Sequence, residues 1–381
     1  MKLLLVKTSS LGDLVHAMPA ITEAAREVPN LTVDWVVEEN LAPVARLHPN
    51  VRRVIPVAIR RWRRSAFSNP LHNVREFSAF KQEVQQEDYD LIIDSQGLLK
   101  SAAVARFAKG KIHGFNRHST RESLASNFYH QTHNVPPNQH AALRQKALFA
   151  AALNYKPTPN LDYGLTQPNN PSQTNISLEG DSPLEGESAK QGREPAVEPV
   201  GALAQTNTIV LLHGTTWPSK EWPEANWQSL ATLICKAGYT PVIPAGNPNE
   251  TERAERIQAA CQSQDQTQSQ VLSMRPLEDV IHAITNAAGL VSVDTGLGHL
   301  AAALGLPLTA IYGATDPSLT GMTGARTQAL TADHLPCIPC RARRCRFRMP
   351  EDSSSIHPPC YERTTPEAVW QSLQQMLQEM K

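Results

Sequence analysis

Short apolar runs alternate with segments of helical period along most of this chain, and that alternation constrains the fold more than any other feature. Leu3–Val6 reads as strand and Pro19–Glu27 as helix, then Val33–Val37 as strand and Asn40–Leu47 as helix. Val51–Ile59 is extended and Phe77–Gln86 helical, and "YDLIIDSQG" (Tyr89–Gly97) is a buried strand ending in a polar turn. Strands alternating with helices make βαβ units, and those units make a parallel sheet.

The pattern breaks once. Residues 166–207 contain no aromatic residue, five Pro and four Gly among many Ser, Asn, Gln and Glu. Such a segment buries too little apolar surface to offset its ordering entropy, so a disordered linker or insertion is expected. Beyond it the alternation restarts with "TIVLLHGTT", "TPVIPAGNPNE", "GLVSVDTGLGHLAAALG" and "LTAIYGATDP". The fold class is therefore α/β, with parallel-sheet domains at 1–165 and 208–365. An amphipathic helix at 366–381 closes the chain, with Val369, Leu373 and Leu377 at a spacing of four.

A chain of 381 residues is long enough to bury two cores. Lys+Arg and Asp+Glu balance at 36 each, which argues against a general nucleic-acid binder but permits a local charged site. No window approaches a transmembrane span, and the apolar run before "KTSS" is too short for a signal-peptide core. A cytoplasmic location is expected.

Chemistry-bearing residues collect where strands give way to helices. In "KTSSLGDLVHAMP", Asp13 stands at such a turn, where a capping residue and a catalytic base are both reasonable. In "VDTGLGHLAAALG", Asp294, Thr295 and Gly296 form a turn into a helix whose free N–H groups suit a diphosphate, with His299 in the first turn. The plainer alternative is a cap and a turn. "HGTTWPSKEWP" offers the hydroxyls of Thr215 and Thr216 and the ammonium of Lys220 to a leaving diphosphate, or else a solvated surface lysine. In "PAGNPNE", Glu250 suits a ribose hydroxyl pair, although Glu is common at helix starts.

From Arg52 to Arg64 there are six arginines and no acid, with Trp62 among them. A local, unbalanced run in a neutral protein favours a polyanionic partner, since Arg presents a bidentate fork to phosphate and carboxylate. "NRHSTRE" and His140 add donors.

The stretches "KTSSLGDLVHAMPA", "DWVVEE", "RVIPVAIRRWR", "DSQGLLKSA", "TRESLASNFY", "LHGTTWPSKEWP", "SVDTGLGHLAAAL" and "YGATDP" together resemble the bacterial lipopolysaccharide heptosyltransferases of glycosyltransferase family 9. The type I branch is resembled more closely than type II. The resemblance covers nearly the whole chain except residues 166–207 and 334–362. It implies the GT-B fold, with two Rossmann-like domains facing a cleft. It also implies inverting transfer of L-glycero-D-manno-heptose from ADP-heptose to Kdo of Kdo2-lipid A, the first heptose of the inner core.

By the same resemblance Asp13 is the base that takes the acceptor hydroxyl proton. ADP-heptose contacts fall to Thr215, Thr216, Lys220, Glu250, Asp294, Thr295, Gly296 and His299. Acceptor carboxylates and phosphates would meet Ser10, Arg60, Arg61, Arg63, Arg64, Arg121 and His140. No cofactor and no catalytic metal are implied. The acceptor's acyl chains imply peripheral contact with the cytoplasmic face of the inner membrane, for which the basic patch, Trp62 and Phe67 are candidates. The closing helix is expected to pack back on the N-terminal domain.

Two features depart from the family pattern. Arg275, in "VLSMRPLED", aligns with a Met of the type I enzymes. Cys337, Cys340, Cys345 and Cys360 form a CxxC plus two further cysteines in a basic loop. In a reducing compartment that spacing suggests a structural zinc, with four reduced thiols as the alternative. Competing functions are type II transfer of the second heptose and a non-catalytic sugar-nucleotide or lipid A binder. A nucleotide-dependent oxidoreductase is disfavoured, because neither half carries GxGxxG after its first strand.

Overall fold

Burial on both faces explains why the apolar runs are strands: Leu3, Leu4, Leu5 and Val6 are wholly buried, as are Ile209, Val210 and Leu211. The computed structural model describes residues 1–165, 207–262, 269–332, 334–347 and 357–379. The linker expected at 166–207 lies, apart from Asn207, outside the described residues.

The first half begins with β1 (Lys2–Val6), α1 (Leu11–Glu27), β2 (Thr32–Glu38), α2 (Ala42–Arg46) and β3 (Val51–Val57). Two helices, α3 (Ile59–Arg64) and α4 (Pro70–Val84), lead to β4 (Asp88–Asp94). Then come α5 (Leu99–Ala105), β5 (Lys109–Phe115), β6 (Gln131–His133) and α6 (Ala141–Leu153). The second half runs β7 (Thr208–Leu212), α7 (Glu224–Lys236), β8 (Thr240–Ala245), α8 (Pro248–Gln262), β9 (Gln270–Ser273) and α9 (Leu277–Thr285). It continues with β10 (Gly289–Val293), α10 (Gly296–Ala303), β11 (Leu308–Tyr312), α11 (Pro317–Thr320), β12 (Thr327–Thr331) and α12 (Pro366–Gln378).

Both sheets are six-stranded, and they share one order. The first runs β3-β2-β1-β4-β5-β6 and the second, in the same sense, β9-β8-β7-β10-β11-β12. In each, the chain direction across the sheet reverses between the first strand and the fourth. Ligands of open parallel sheets bind outside the carboxyl ends at that seam.

Two expectations are corrected here. Helix α1 starts at Leu11, eight positions before the periodic pattern suggests, and runs straight through Pro19. Proline lacks one N–H, but the helix is anchored by a wholly buried stripe that includes Leu14, Val15, Met18 and Ile21. The closing helix does not go to the N-terminal sheet. It lies on α7, β10 and β11, where Leu373 and Leu377 pack over Gly289 and Ser372 Oγ meets Thr309 Oγ1 at 3.1 Å. Its apolar stripe finishes a C-terminal core already containing Trp227, Ile234 and Val291, and burying Leu373 there is worth about 2 kcal/mol.

Candidate active site

The seam of the first sheet places the loops after β1 and β4 side by side. Ser10 precedes α1, and both its N–H and its hydroxyl donate to Asp13 Oδ2, at 3.0 and 2.9 Å. Capping and aiming are thus one arrangement. The other oxygen, Oδ1, accepts from Arg121 Nη2 at 2.8 Å. Burial alone would raise the Asp13 carboxyl, but the charges of Lys7 and Arg121 and the Ser10 N–H outweigh it and hold the group well below the usual carboxylate range. One turn on, His16 is buried and kept neutral, chiefly by that burial and by His299 beside it.

At the corresponding seam of the second sheet, the loops after β7 and β10 meet. Asp294 Oδ2 accepts from Lys220 Nζ at 2.7 Å and from the Thr315 hydroxyl at 2.6 Å. His299 Nε2 stands 3.6 Å from Oδ1. Burial would raise this carboxyl too; His299, Lys220 and Thr315 together hold it well below its ordinary value. The Lys220 ammonium also lies 4.8 Å from the Trp217 ring centre, so it is fixed from two sides. The Glu250 carboxylate accepts from Gly246 N at 2.8 Å, at the carboxyl end of β8.

The two seams face each other. Helices α1 and α10 approach so closely that a methyl on Gly12 would meet the His299 ring at 3.0 Å. Between them opens a cleft of about 960 Å³, lined by Ser10, Asp13 and Arg121 on one side. On the other side stand Thr215, Thr216, Lys220, Glu250, Asp294, Thr295, Gly296 and His299. All eight expected donor residues therefore share one cavity with Asp13. The free amides at the start of α10 open into it, in line with anion binding at helix N-termini.

Other expected acceptor residues are placed differently. Arg61 is engaged bidentately by Glu39 and by Glu76, at 2.8–3.0 Å, so its fork is already filled. Arg60, Arg63 and Arg64 are exposed on or beside α3 and do not line the cleft. His140 is withdrawn from the acceptor set: Nδ1 accepts from Ala142 N at 3.2 Å, capping α6, which leaves Nε2 to donate to the Gly321 carbonyl at 3.0 Å. Both ring nitrogens are used, Nδ1 in capping α6 and Nε2 in joining it to the second domain.

The zinc expectation is also corrected. None of the four cysteines is in a disulfide: Cys337 and Cys340 face solvent while Cys360 is buried against Gly313. Among the described residues no group of three or more His, Cys, Asp or Glu is arranged to hold a metal ion. Hydrogen bonds to backbone tie the loop down instead, with Arg341 N donating to Ala314 O at 2.8 Å and the Ser219 hydroxyl to Ala342 O at 2.5 Å. That tether brings Arg341 into the cleft wall. Sequence reasoning missed it, along with Thr315, although "YGATDP" is a strand-end loop like the others. Arg275, set aside as a departure, lines the cleft as well.

Comparison with known proteins places this arrangement. Residues 77–349 match the model of glycosyltransferase family 9 (heptosyltransferase). The chain is 40% identical to lipopolysaccharide heptosyltransferase 1 of Pseudomonas aeruginosa, over 99% of this chain and 98% of that protein. It is 41% identical to the enzyme of the same name from Escherichia coli K12, over 85% of this chain and 91% of the relative. Among solved structures, the E. coli heptosyltransferase WaaC with ADP superimposes with a TM-score of 0.75 at 35% identity, covering 99% of this chain and all of the other. The same enzyme with ADP-2-deoxy-2-fluoro heptose gives 0.72 at 34%, with both chains covered in full.

Proposed function

A chain that belongs to glycosyltransferase family 9, as this one does, is a glycosyltransferase, and we propose that it moves L-glycero-D-manno-heptose from ADP-heptose to Kdo of Kdo2-lipid A. The observation that carries the reading is the shared cleft: Asp13 at one seam faces Lys220, Asp294 and the start of α10 at the other.

The chemistry follows from the two sides. Asp13, oriented by Ser10, takes the proton of the acceptor hydroxyl as its oxygen attacks the anomeric carbon. Attack comes from the face opposite the leaving ADP, so the anomeric centre inverts. Charge growing on the diphosphate is met by Lys220 and by the amide end of α10, which need no reorganisation as the bond breaks. Asp294 keeps Lys220 in place rather than touching the sugar. Glu250, at the end of β8, receives the ribose hydroxyls. Arg121 is the cleft cation for acceptor carboxylate or phosphate.

Membrane contact belongs to the same proposal. Among the described residues no helix is long and apolar enough to cross a membrane. Phe67, Leu71 and Val74 are strongly exposed between and along α3 and α4, next to Arg63 and Arg64. Apolar side chains flanked by arginine suit docking at an anionic lipid surface. Trp62 is not part of it, being packed edge-on against Phe77 and hydrogen-bonded to Glu76 at 2.8 Å.

The test is ADP release from ADP-heptose with de-acylated Kdo2-lipid A as acceptor, compared with an acceptor already carrying one heptose. Release with the heptose-free acceptor alone supports the first-heptose reading. Release with the heptosylated one alone would replace it with second-heptose transfer.

A further inference from the structure

Behind Asp13 lies a second, smaller cavity of about 30 Å³, bounded by Lys7, Ser95, Arg144 and Gln145, with Asp13 and Arg121 lining both it and the cleft. Lys7 closes it at the end of β1. Only 3% of the residue is exposed, and its ammonium donates to the Ser95 carbonyl at 3.0 Å. Burying an ammonium against a neutral carbonyl is costly. Burial pushes Lys7 down to about 8, with Asp13 and Asp94 pulling it up and Arg121 and Arg144 pushing it further down.

The neighbouring cations differ in mobility. The Arg121 side chain is 58% exposed, and it is the cleft residue suited to acceptor anions. When it turns to them, Asp13 loses that partner. Lys7 cannot leave. Three polar atoms of the cavity's lining residues, Ser95 Oγ, Arg144 Nε and Gln145 Oε1, are buried without a partner among the described residues, and the space admits an ordered water.

We propose that Lys7 is a positioning residue for the reaction, a fixed buried cation that reaches Asp13 across a water-holding cavity and keeps it ionised once the acceptor draws Arg121 away. The inference rests on Asp13 as the base. The charged and titratable groups facing the pair are His16 from α1, Asp94 at the end of β4, Arg121 from the loop after β5, and Arg144 from α6. His299, from α10, faces His16.

The experiment compares wild type, Lys7→Met, Lys7→Arg and Arg121→Ala. Heptose transfer is measured as kcat/KM against pH, and the Asp13 carboxyl is followed by its 13C shift, a readout that needs no turnover. In Lys7→Met the acid limb and the carboxyl midpoint rise by about one unit or more, a tenfold change in proton affinity, while ADP affinity stays as in wild type. Lys7→Arg keeps the wild-type midpoint. Arg121→Ala, at an exposed position, keeps its midpoint below the ordinary carboxylate range, and this arm stands even where Lys7→Met fails to fold. An unmoved midpoint in folded Lys7→Met, an equal rise in Lys7→Arg, or an ordinary carboxylate midpoint in Arg121→Ala overturns the proposal. Absence of transfer by the wild type would instead sink the functional reading, leaving the 13C titration to decide on Lys7.

Discussion

Gly296 and Gly12 bring the N-terminal ends of two helices from different domains into backbone contact. A methyl on Gly296 would sit 3.0 Å from Gly12 N and 2.7 Å from Leu11 Cβ, distances that force the helices apart. Gly296→Ala should therefore cost far more activity than stability. A raised KM for ADP-heptose and a lowered kcat, at a melting temperature within about 2 °C of wild type, is the expected pattern. Wild-type kinetics would show that this approach does not matter for transfer.

Asp13→Ala should abolish transfer while sparing the donor. A positioned general base is worth about 10²–10⁴ in rate, and the groups suited to ADP sit across the cleft. Stopped transfer with unchanged ADP affinity by calorimetry is expected; substantial turnover would remove Asp13 from the mechanism.

Lys220→Ala strikes the leaving group. Loss of a donor aimed at charge developing in the transition state costs about 10²–10³ in kcat. The loss should exceed any change in donor KM. An effect confined to KM would assign Lys220 to binding alone.

Asp294 makes stability depend on pH with a definite sign. Its folded pKa lies below the unfolded value of about 3.9. The ionised carboxylate therefore contributes stability that is present above pH ~4 and lost as pH falls through the folded value. Asp294→Asn should be less stable than wild type at pH 7, by about 2 kcal/mol, with the gap narrowing below pH 4. Denaturant melts at pH 7 and pH 3 measure this, and a constant gap would contradict it.

Phe67→Ser combined with Arg63→Glu and Arg64→Glu should weaken sedimentation with anionic vesicles, without affecting turnover on a de-acylated acceptor. Wild-type sedimentation should fall as salt rises, since exposed charges are screened within about 10 Å at 0.1 M. Vesicle binding indifferent to both salt and substitution would exclude this face.

Both sheets and the contents of the cleft were legible because they depend on local pattern: apolar runs, then strand-end turns carrying Asp13, Thr215 or Asp294. What escaped depends on partners distant in sequence. The arginine run looked unbalanced because Glu39 and Glu76, which fill the Arg61 fork, lie outside it. The histidine at 140 looked like a ligand because nothing local announces that Gly321 waits 181 positions away. Helix α12 shows its apolar stripe plainly, yet a stripe does not say which sheet still has an open face. The start of α1 was hidden by Gly12 and Pro19, ordinary breakers that tertiary packing overrides.

The repeated strand order has an evolutionary corollary. Each half presents its working loops at the same seam, so on the function proposed above the two are separate cassettes, one for the sugar's source and one for its destination. Grafting the second half of a relative that uses another nucleotide sugar should change what is delivered and leave the recipient untouched. The graft must keep the seal between the halves: the glycine-on-glycine seam, the edge-on His16–His299 contact at 4.6 Å ring to ring, and the His140–Gly321 hydrogen bond.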